Sequence, residues 1–394
     1  MNRFEALTQF DNKSLKPKIK EQIRELDAYF RMDYSCLKQQ FLENFTEFCR
    51  TIAKEQQTGR KGSIAYINLS LLRISLEENA PVCQWNAYDN TWYRDRQICS
   101  QEYDAGWALN HLECIIKELE PERKKYAGII FPQDLSGIRR TAVSHFHNYV
   151  IQLARFALRE ARTLEGLQNL QLAERLIILA GEYLDECQVV YVQDERTLSS
   201  EQLKNHLERQ TLHAYHVFEN CELSYGSYPN INLCYSTLDG SNLAHSDMQS
   251  TLLVGSKLRN CNLTGAKLTQ CYLQDADLFA SNLQSADLSM IKGGVDLDNI
   301  LSAPLDLAQI NSSVQLGTNP VPSYYHVNLQ NTNLQDTDFT GADLRGADLR
   351  GAVFQNTNFT DCRLDKAIFY IRDQKALQLT PQQAEAILWV EGSI

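Results

Sequence analysis

From about His216 onward, an apolar residue returns at every fifth position. Phe218, Leu223, Leu233, Leu238 and Leu243 open the series; Met248, Leu253, Leu258, Leu263, Leu268, Leu273, Leu278, Leu283 and Leu288 continue it. Tyr228 puts a polar-tipped ring at one centre, which brings this register to 15 centres. Two residues before each centre the chain is mostly small, as at Cys221, Gly226, Ser236, Ser241, Thr251, Ala266 and Ala286. After a gap the pattern returns one register over, with nine centres at Leu329, Leu334, Phe339, Leu344, Leu349, Phe354, Phe359, Leu364 and Phe369. The remaining positions are mostly Asp, Asn, Gln, Arg, Ser and Thr.

A period of five fits neither a helix nor a simple strand. It predicts a coil that turns a corner every five residues. The large residue fills the interior, the small one tucks beside it, and the other three face outward. One such unit cannot bury its centre, so coils must stack into a continuous column. The expected repeat core includes Leu223, Leu233, Leu243, Leu263, Leu273, Leu283, Leu334, Phe339, Leu344, Leu349, Phe354 and Phe359.

These residues, clearest in the run GADLRGADLRGAVF from Gly341 to Phe354, resemble the pentapeptide-repeat family, whose consensus reads A-(D/N)-L-x-x. The resemblance covers about residues 211–372. It implies a right-handed quadrilateral β-helix with four motifs per coil. The 24 motifs would then make about six coils, roughly 29 Å long at about 4.8 Å per stacked strand. Fold is implied strongly and function weakly, since members of one fold family do unrelated things.

Between the two blocks lies Ser289–His326. Val295, Ile300, Leu305 and Ile310 keep the five-residue spacing in a third register, and Asp306 to Gln309 reads as a capping box opening a short helix. Gly317, Pro320 and Pro322 then break regular structure. The segment is either a loop on one solenoid or a break between two; one interrupted solenoid is the expectation. At the chain's end Thr380 can cap, Pro381 suits the first helical position, and Gln383 completes a capping box. A helix over about 380–391, with Leu388, Trp389 and Val390 as its apolar face, would then hide the open end of the column.

Residues 1–200 lack the repeat. Ile19, Ile23, Leu26 and Phe30 predict one amphipathic helix, and Leu37, Phe41, Phe45, Phe48 and Ile52 another. Further helices are expected over Tyr103–Glu120, Gln133–Ala161 and Gly166–Tyr183. Ser63–Glu77 could be helix or strand. Val82, Trp85, Tyr88, Trp92 and Tyr93 around Asp89-Asn90 suggest a hairpin whose rings pack a sheet on helices. The basic turn Thr58–Gly62 reads as a solvated loop, Gln193–Glu201 as a linker, and Leu203–Leu212 as a helix closing the first coil. Tyr66–Arg73 and Ala87–Tyr93 loosely resemble N-terminal regions of uncharacterised bacterial pentapeptide-repeat proteins.

The chain is thus read as α+β and multidomain: a mainly helical domain over 1–200, a linker and capping helix over 201–212, a pentapeptide-repeat β-helix over 213–372 interrupted at about 289–326, and a C-terminal cap over 373–394.

Composition narrows what such a molecule does. Of 394 residues 43% are hydrophobic and 22% charged, the balance of an ordinary folded protein. No apolar run reaches about 18 residues and the N-terminus has no apolar leader, so the expectation is a cytoplasmic protein without a membrane partner. The net charge is −11, and Thr211–Ile394 holds 19 acids against 10 bases, a net −9. Acidity of this kind argues against direct nucleic-acid binding. The 11 cysteines include no C-x-x-C pair, and Cys221, Cys261, Cys271 and Cys362 share the small interior position, where they behave as apolar core. His145 and His147 are two apart and point to different faces of a helix, as do His111 and Glu113. No catalytic, cofactor or metal residue is expected.

The leading expectation is a non-catalytic interaction protein that offers a rigid surface to a protein partner. An alternative comes from the resemblance: some family members are DNA mimics that bind DNA gyrase or topoisomerase IV. That reading needs a continuous acidic face along the column. A third places an enzyme site in the helical half with the solenoid as a targeting module. A homodimer through terminal caps is implied by the resemblance alone.

Overall fold

The computed structural model describes residues 2–77, 81–183, 187–194, 198–210, 214–295 and 325–392. They form two compact units, Met1–Glu195 and Arg196–Ile394.

The first unit is a five-stranded sheet packed on helices. Its helices are α1 (Arg3–Phe10), α2 (Lys16–Met32), α3 (Tyr34–Gln57), α4 (Arg73–Glu77), α5 (Gly106–Lys124), α6 (Pro132–Ala157) and α7 (Glu165–Gln168). The strands are β1 (Ile64–Leu71), β2 (Val82–Tyr88), β3 (Cys99–Asp104), β4 (Leu172–Glu182) and β5 (Cys187–Asp194), in the order β3-β2-β1-β4-β5. Within this sheet only the β1–β4 pair is parallel. Alternation along each strand sends Ile67, Leu69, Leu71, Trp85, Ile178 and Ala180 to one face, where all are fully buried. Trp85 is surrounded by Phe41, Phe45 and Phe48 of α3, with ring centroids 5.5, 5.2 and 6.0 Å away. Each such side chain contributes about 1.5–3 kcal/mol by leaving water. The other face carries Tyr66, Asn68 and Ser70 opposite Tyr88, Asn86 and Gln84.

The structure corrects several expectations. The first half is mainly helical as expected, but it holds a five-stranded sheet where one small hairpin was expected. The helix expected over Gly166–Tyr183 is a single turn, α7, followed by the eleven-residue strand β4. Its leucine-rich sequence suits either period, and alternate burial of Leu176, Ile178 and Ala180 shows that the period of two prevails. The expected linker begins inside β5, which ends at Asp194. Tyr103 lies in β3 rather than opening α5. The hairpin exists, but β2 pairs with β3 across a ten-residue connection rather than turning at Asp89-Asn90.

The second unit opens with α8 (Ser200–Glu208), capped by Ser199 and Gln202. Its Leu203 and Leu207 join the core of the column that follows. There, single residues pair in parallel with residues 20 further on: Val217 with Thr237, Thr237 with Lys257, Lys257 with Asp277. Four five-residue units therefore make one coil. The ladder then steps from Asp277 to Asn328, 51 residues instead of 20, and resumes through Asp348 and Ile368. One coil thus carries 31 added residues while the ladder continues. The registers of Ile300, Leu305 and Ile310 and the helix expected at Asp306 lie outside the described residues. On the Val217 face the ladder reaches Leu388 in seven steps, a length of about 34 Å.

The column ends differently from the expectation. A short helix, α9 (Pro381–Ala386), has the expected capping box of Thr380 and Gln383. Leu388–Val390 is not its continuation but strand β7, parallel to β6 (Ile368–Tyr370). Ile387 breaks the helix with an extended backbone, and the three apolar residues form one more rung.

Candidate functional site

Inside each coil, the centres Leu223, Leu233, Leu243, Leu263, Leu273, Leu283, Leu334, Phe339, Leu344, Leu349, Phe354 and Phe359 are 0–8% exposed and belong to one core cluster. The small positions can hold hydroxyls and thiols because a carbonyl lies within reach. Some reach the coil before: Ser241 Oγ donates to Phe218 O at 2.9 Å, Thr251 Oγ1 to Tyr228 O at 2.8 Å, and Cys261 Sγ to Leu238 O at 3.1 Å. Others stay in their own turn, as Ser246 Oγ does with Leu243 O at 2.8 Å. At each corner the second residue after the centre has positive φ, as in Tyr235 (58°), Asn260 (54°) and Gly265 (62°). The small residue that follows closes the turn, Ser236 N to Leu233 O at 3.1 Å.

Corners are also coupled between coils. A large side chain at one corner folds over the corner twenty residues on. A Cβ on Gly255 would lie 2.2 Å from the Tyr235 ring, and one on Gly265 2.5 Å from His245 Nδ1. Across the 31-residue insertion the same relation joins Met290 to Gly341, at 2.5 Å. At the one aromatic-polar centre the accommodation is internal: Tyr228 Oη, bonded to Leu223 O at 2.9 Å, occupies the space of the side chain that Gly226 lacks.

The outward positions set what a partner meets. On the Glu222 face a chain of donors runs in one direction. Asn333 Nδ2 donates to Asn282 Oδ1 (3.0 Å), Asn282 Nδ2 to Thr264 Oγ1 (3.0 Å), and Thr264 Oγ1 to Asn262 Oδ1 (2.7 Å). Asn262 Nδ2 donates to Asn242 Oδ1 (3.0 Å), and Asn242 Nδ2 ends the chain on the Glu222 carboxylate (2.8 Å). Ser224 and Asn242 hold that carboxyl below its ordinary range. Bonds in such a chain polarise one another in the same sense. Other faces carry charges of both signs. Arg259 pairs with Asp277 at 2.5 Å, Arg345 with Asp343 at 2.6 Å and Arg350 with Asp348 at 2.6 Å, while Lys267 stands between Asp247 and Asp287 on the ladder. Three of the unit's acids, Asp296, Asp298 and Asp306, lie outside the described residues. Not every outward position is wet: Ala214, Cys234, Leu252 and Val254 form a separate buried cluster with Tyr215, Tyr235 and Tyr272 beside it.

The first unit contains a second polar arrangement. Lys61, expected in a solvated turn, is 5% exposed. Its ammonium donates to Ala87 O at 2.8 Å, to Gln97 O at 2.7 Å and to the Asp95 carboxylate. Asp95 also accepts from the backbone N–H of Asp89 and of Gln97, both at 2.9 Å. Burial would raise the Asp95 pKa, but the Lys61 and backbone hydrogen bonds outweigh it and hold the carboxyl below its usual range. This knot fixes the β2–β3 connection and sets Trp92 and Tyr93 over the sheet. Trp92 contacts Tyr66 edge-on at 3.9 Å and stacks on Tyr88 at 5.9 Å, while Tyr93 meets Tyr88 at 5.4 Å. The signal was faint in sequence, because Lys61 and Asp95 lie 34 residues apart.

Among the described residues, the histidine and thiol that meet do not form an activated pair. His147 is buried and its Nε2 lies 3.8 Å from Cys83 Sγ. Burial pulls His147 down to about 4 and pushes the Cys83 thiol up, so the pair is neutral near pH 7 and not thiolate–imidazolium. Half-buried His111 instead bonds Gln22 at 2.8 Å. Among the described residues there is no group of three or more His, Cys, Asp or Glu placed to hold a metal, and no helix long and apolar enough to cross a membrane.

Stacked five-residue units with a continuous core and capped ends define the second unit as a repeat solenoid. A family model described as pentapeptide repeats matches the chain in eight copies, over residues 230–265, 256–289 and 326–369. The second unit thus carries pentapeptide repeats, and the first is a unit of helices and a sheet. No curated protein matches it. Solved structures that match include QnrB1, a plasmid-mediated fluoroquinolone resistance protein, at 13% identity over 45% of this chain and 84% of that one, TM-score 0.24. Rfr23 from the cyanobacterium Cyanothece 51142 matches at 18% identity over 42% and 99%, TM-score 0.17. HetL of Nostoc sp. strain PCC 7120, involved in heterocyst differentiation regulation, matches at 17% identity over 44% and 98%, TM-score 0.13.

Proposed function

We propose that this is a non-catalytic interaction protein whose column, a right-handed quadrilateral β-helix, presents a rigid surface to a protein partner. The observation that carries the reading is the fixed outer surface. The ladder runs unbroken from Val217 to Leu388, and the asparagine chain from Asn333 to Glu222 holds its side chains before any partner arrives. A surface already ordered loses little side-chain entropy on binding. The mimicry of DNA that would direct such a column at a type II topoisomerase calls for a continuous acidic face, and the paired Arg259–Asp277, Arg345–Asp343 and Arg350–Asp348 do not supply one.

The test uses the full chain as bait in host lysate, with quantitative mass spectrometry. Single outward substitutions are compared: Asn262→Arg on the Glu222 face, Lys267→Glu on the Ser227 face and Lys257→Glu on the Val217 face. The expected result is one retained protein lost with one face's substitution while the melting temperature stays put. Retention that is equal for all three variants, or no retained protein, would refute the reading.

A further inference from the structure

We propose that Asn68, Asn86 and the rings of Tyr66, Tyr88, Trp92 and Tyr93 form a closed binding site for an uncharged planar heterocycle of the nucleobase type. Asn68 and Asn86 stand directly opposite each other on β1 and β2, on the sheet face away from α3. They are 1% and 4% exposed. Asn68 Oδ1 and Asn86 Nδ2 are buried and have no hydrogen-bond partner. Leaving such groups unpaired is costly, and buried polar atoms are otherwise nearly always satisfied. The two orphans are complementary in kind, one acceptor and one donor. Cross-strand neighbours have Cβ atoms about 4.5–5.5 Å apart, which places both within reach of adjacent donor and acceptor atoms on one edge of a ring.

The next rung on this face is Tyr66 opposite Tyr88, and Trp92 and Tyr93 cover it. Flat rings around a donor–acceptor pair suit a planar ligand. Asp95 is taken by Lys61, and burial holds the Tyr88 and Tyr93 hydroxyls protonated. A neutral ligand fits that surrounding better than a charged one. Tyr93 is the way in. It is 42% exposed, and its hydroxyl meets Asn68 Nδ2 at a long 3.2 Å.

The full chain would be titrated with uridine, cytidine, adenosine and guanosine, each to about 5 mM, by thermal shift and by calorimetry. At least one nucleoside is expected to raise the melting temperature in a dose-dependent way. Asn86→Leu should then weaken that binding at least about tenfold while leaving the unliganded melting temperature unchanged or higher, because it removes an orphan donor. If the leucine variant melts early, Asn86→Ala, which removes the donor without adding bulk or charge, makes the same comparison. No shift with any of the four probes overturns the proposal, as does equal affinity in wild type and variant.

Discussion

Gly226 and Tyr228 should be energetically coupled more strongly than any neighbouring pair on the column. Gly226 has no positive φ, so its backbone suits any residue, and the whole cost of Gly226→Ala is the contact. The new Cβ would sit 1.9 Å from Tyr228 Oη and 2.1 Å from Cζ. The ring is 1% exposed and cannot swing away without breaking its bond to Leu223 O. Overpacking of this kind costs about 1–3 kcal/mol, and a buried hydroxyl left unpaired adds about 1–3 kcal/mol. We therefore expect a loss of about 3–4 kcal/mol. Tyr228→Leu alone leaves a cavity and should cost about 2–4 kcal/mol. The double variant, Ala before Leu, restores the pattern of Ala266–Leu268 and should fall within about 1 kcal/mol of wild type, a coupling of several kcal/mol. Since two units make global unfolding a poor measure, the readout is native-state hydrogen exchange at the amides of Leu223 and Tyr228, which bond Asn242 O and Asp247 O. If Gly226→Ala leaves those amides as protected as before, or Tyr228→Leu fails to rescue them, the steric account is wrong.

Lys61→Met leaves the Asp95 carboxylate buried without its counter-ion and should cost about 3–5 kcal/mol, read as a lower urea midpoint in tryptophan fluorescence. Because the folded Asp95 pKa is depressed, the stability it adds is present above the unfolded value of about 3.9 and is lost as pH falls through the folded one; the wild-type advantage over Lys61→Met should shrink on acidification in that range. Asp239 shows the opposite sign: burial raises its pKa, so Asp239→Asn should raise the melting temperature at pH 7, with the gain fading toward about pH 4. Gln383→Ala removes the bonds to Phe359 O (2.8 Å) and Cys362 O (2.9 Å) together with the capping box, and should speed exchange at Leu388 N while leaving Leu243 N unchanged, a local loss of about 1–2 kcal/mol.

The column was legible because each five-residue unit reports its own inside and outside through one large and one small residue. The length of a coil was less so. Nothing in a period of five says that four units close a turn, yet Tyr235 with Gly255 and His245 with Gly265 record the twenty-residue step directly. The first unit was harder. In β4 the run Leu176–Leu179 satisfies helix and strand templates alike, and only pairing with β1 and β5 decides between them. Leu388–Val390 followed a well-formed capping box and was drawn into the helix, where the open end of the ladder claimed it. Asn68 and Asn86 carry no sequence signal, since their meaning lies in facing each other across a strand pair.

The twenty-residue coupling of corners also limits how this gene can lengthen or shorten. Duplication of a single five-residue unit just after His245 would keep every centre apolar, yet it would turn all later units by one face. His245 would then lie over Asn260 instead of Gly265, and its imidazole would meet a side chain where the glycine leaves space. The asparagine chain would be cut at the same point, between Asn242 and Asn262. Only additions in multiples of four units keep each face in line. The 31 residues added between Lys292 and Asn328 escape the rule, because the ladder resumes in step on their far side. Relatives of this column should therefore differ in length by whole coils or by inserted segments of this kind, and seldom by one repeat.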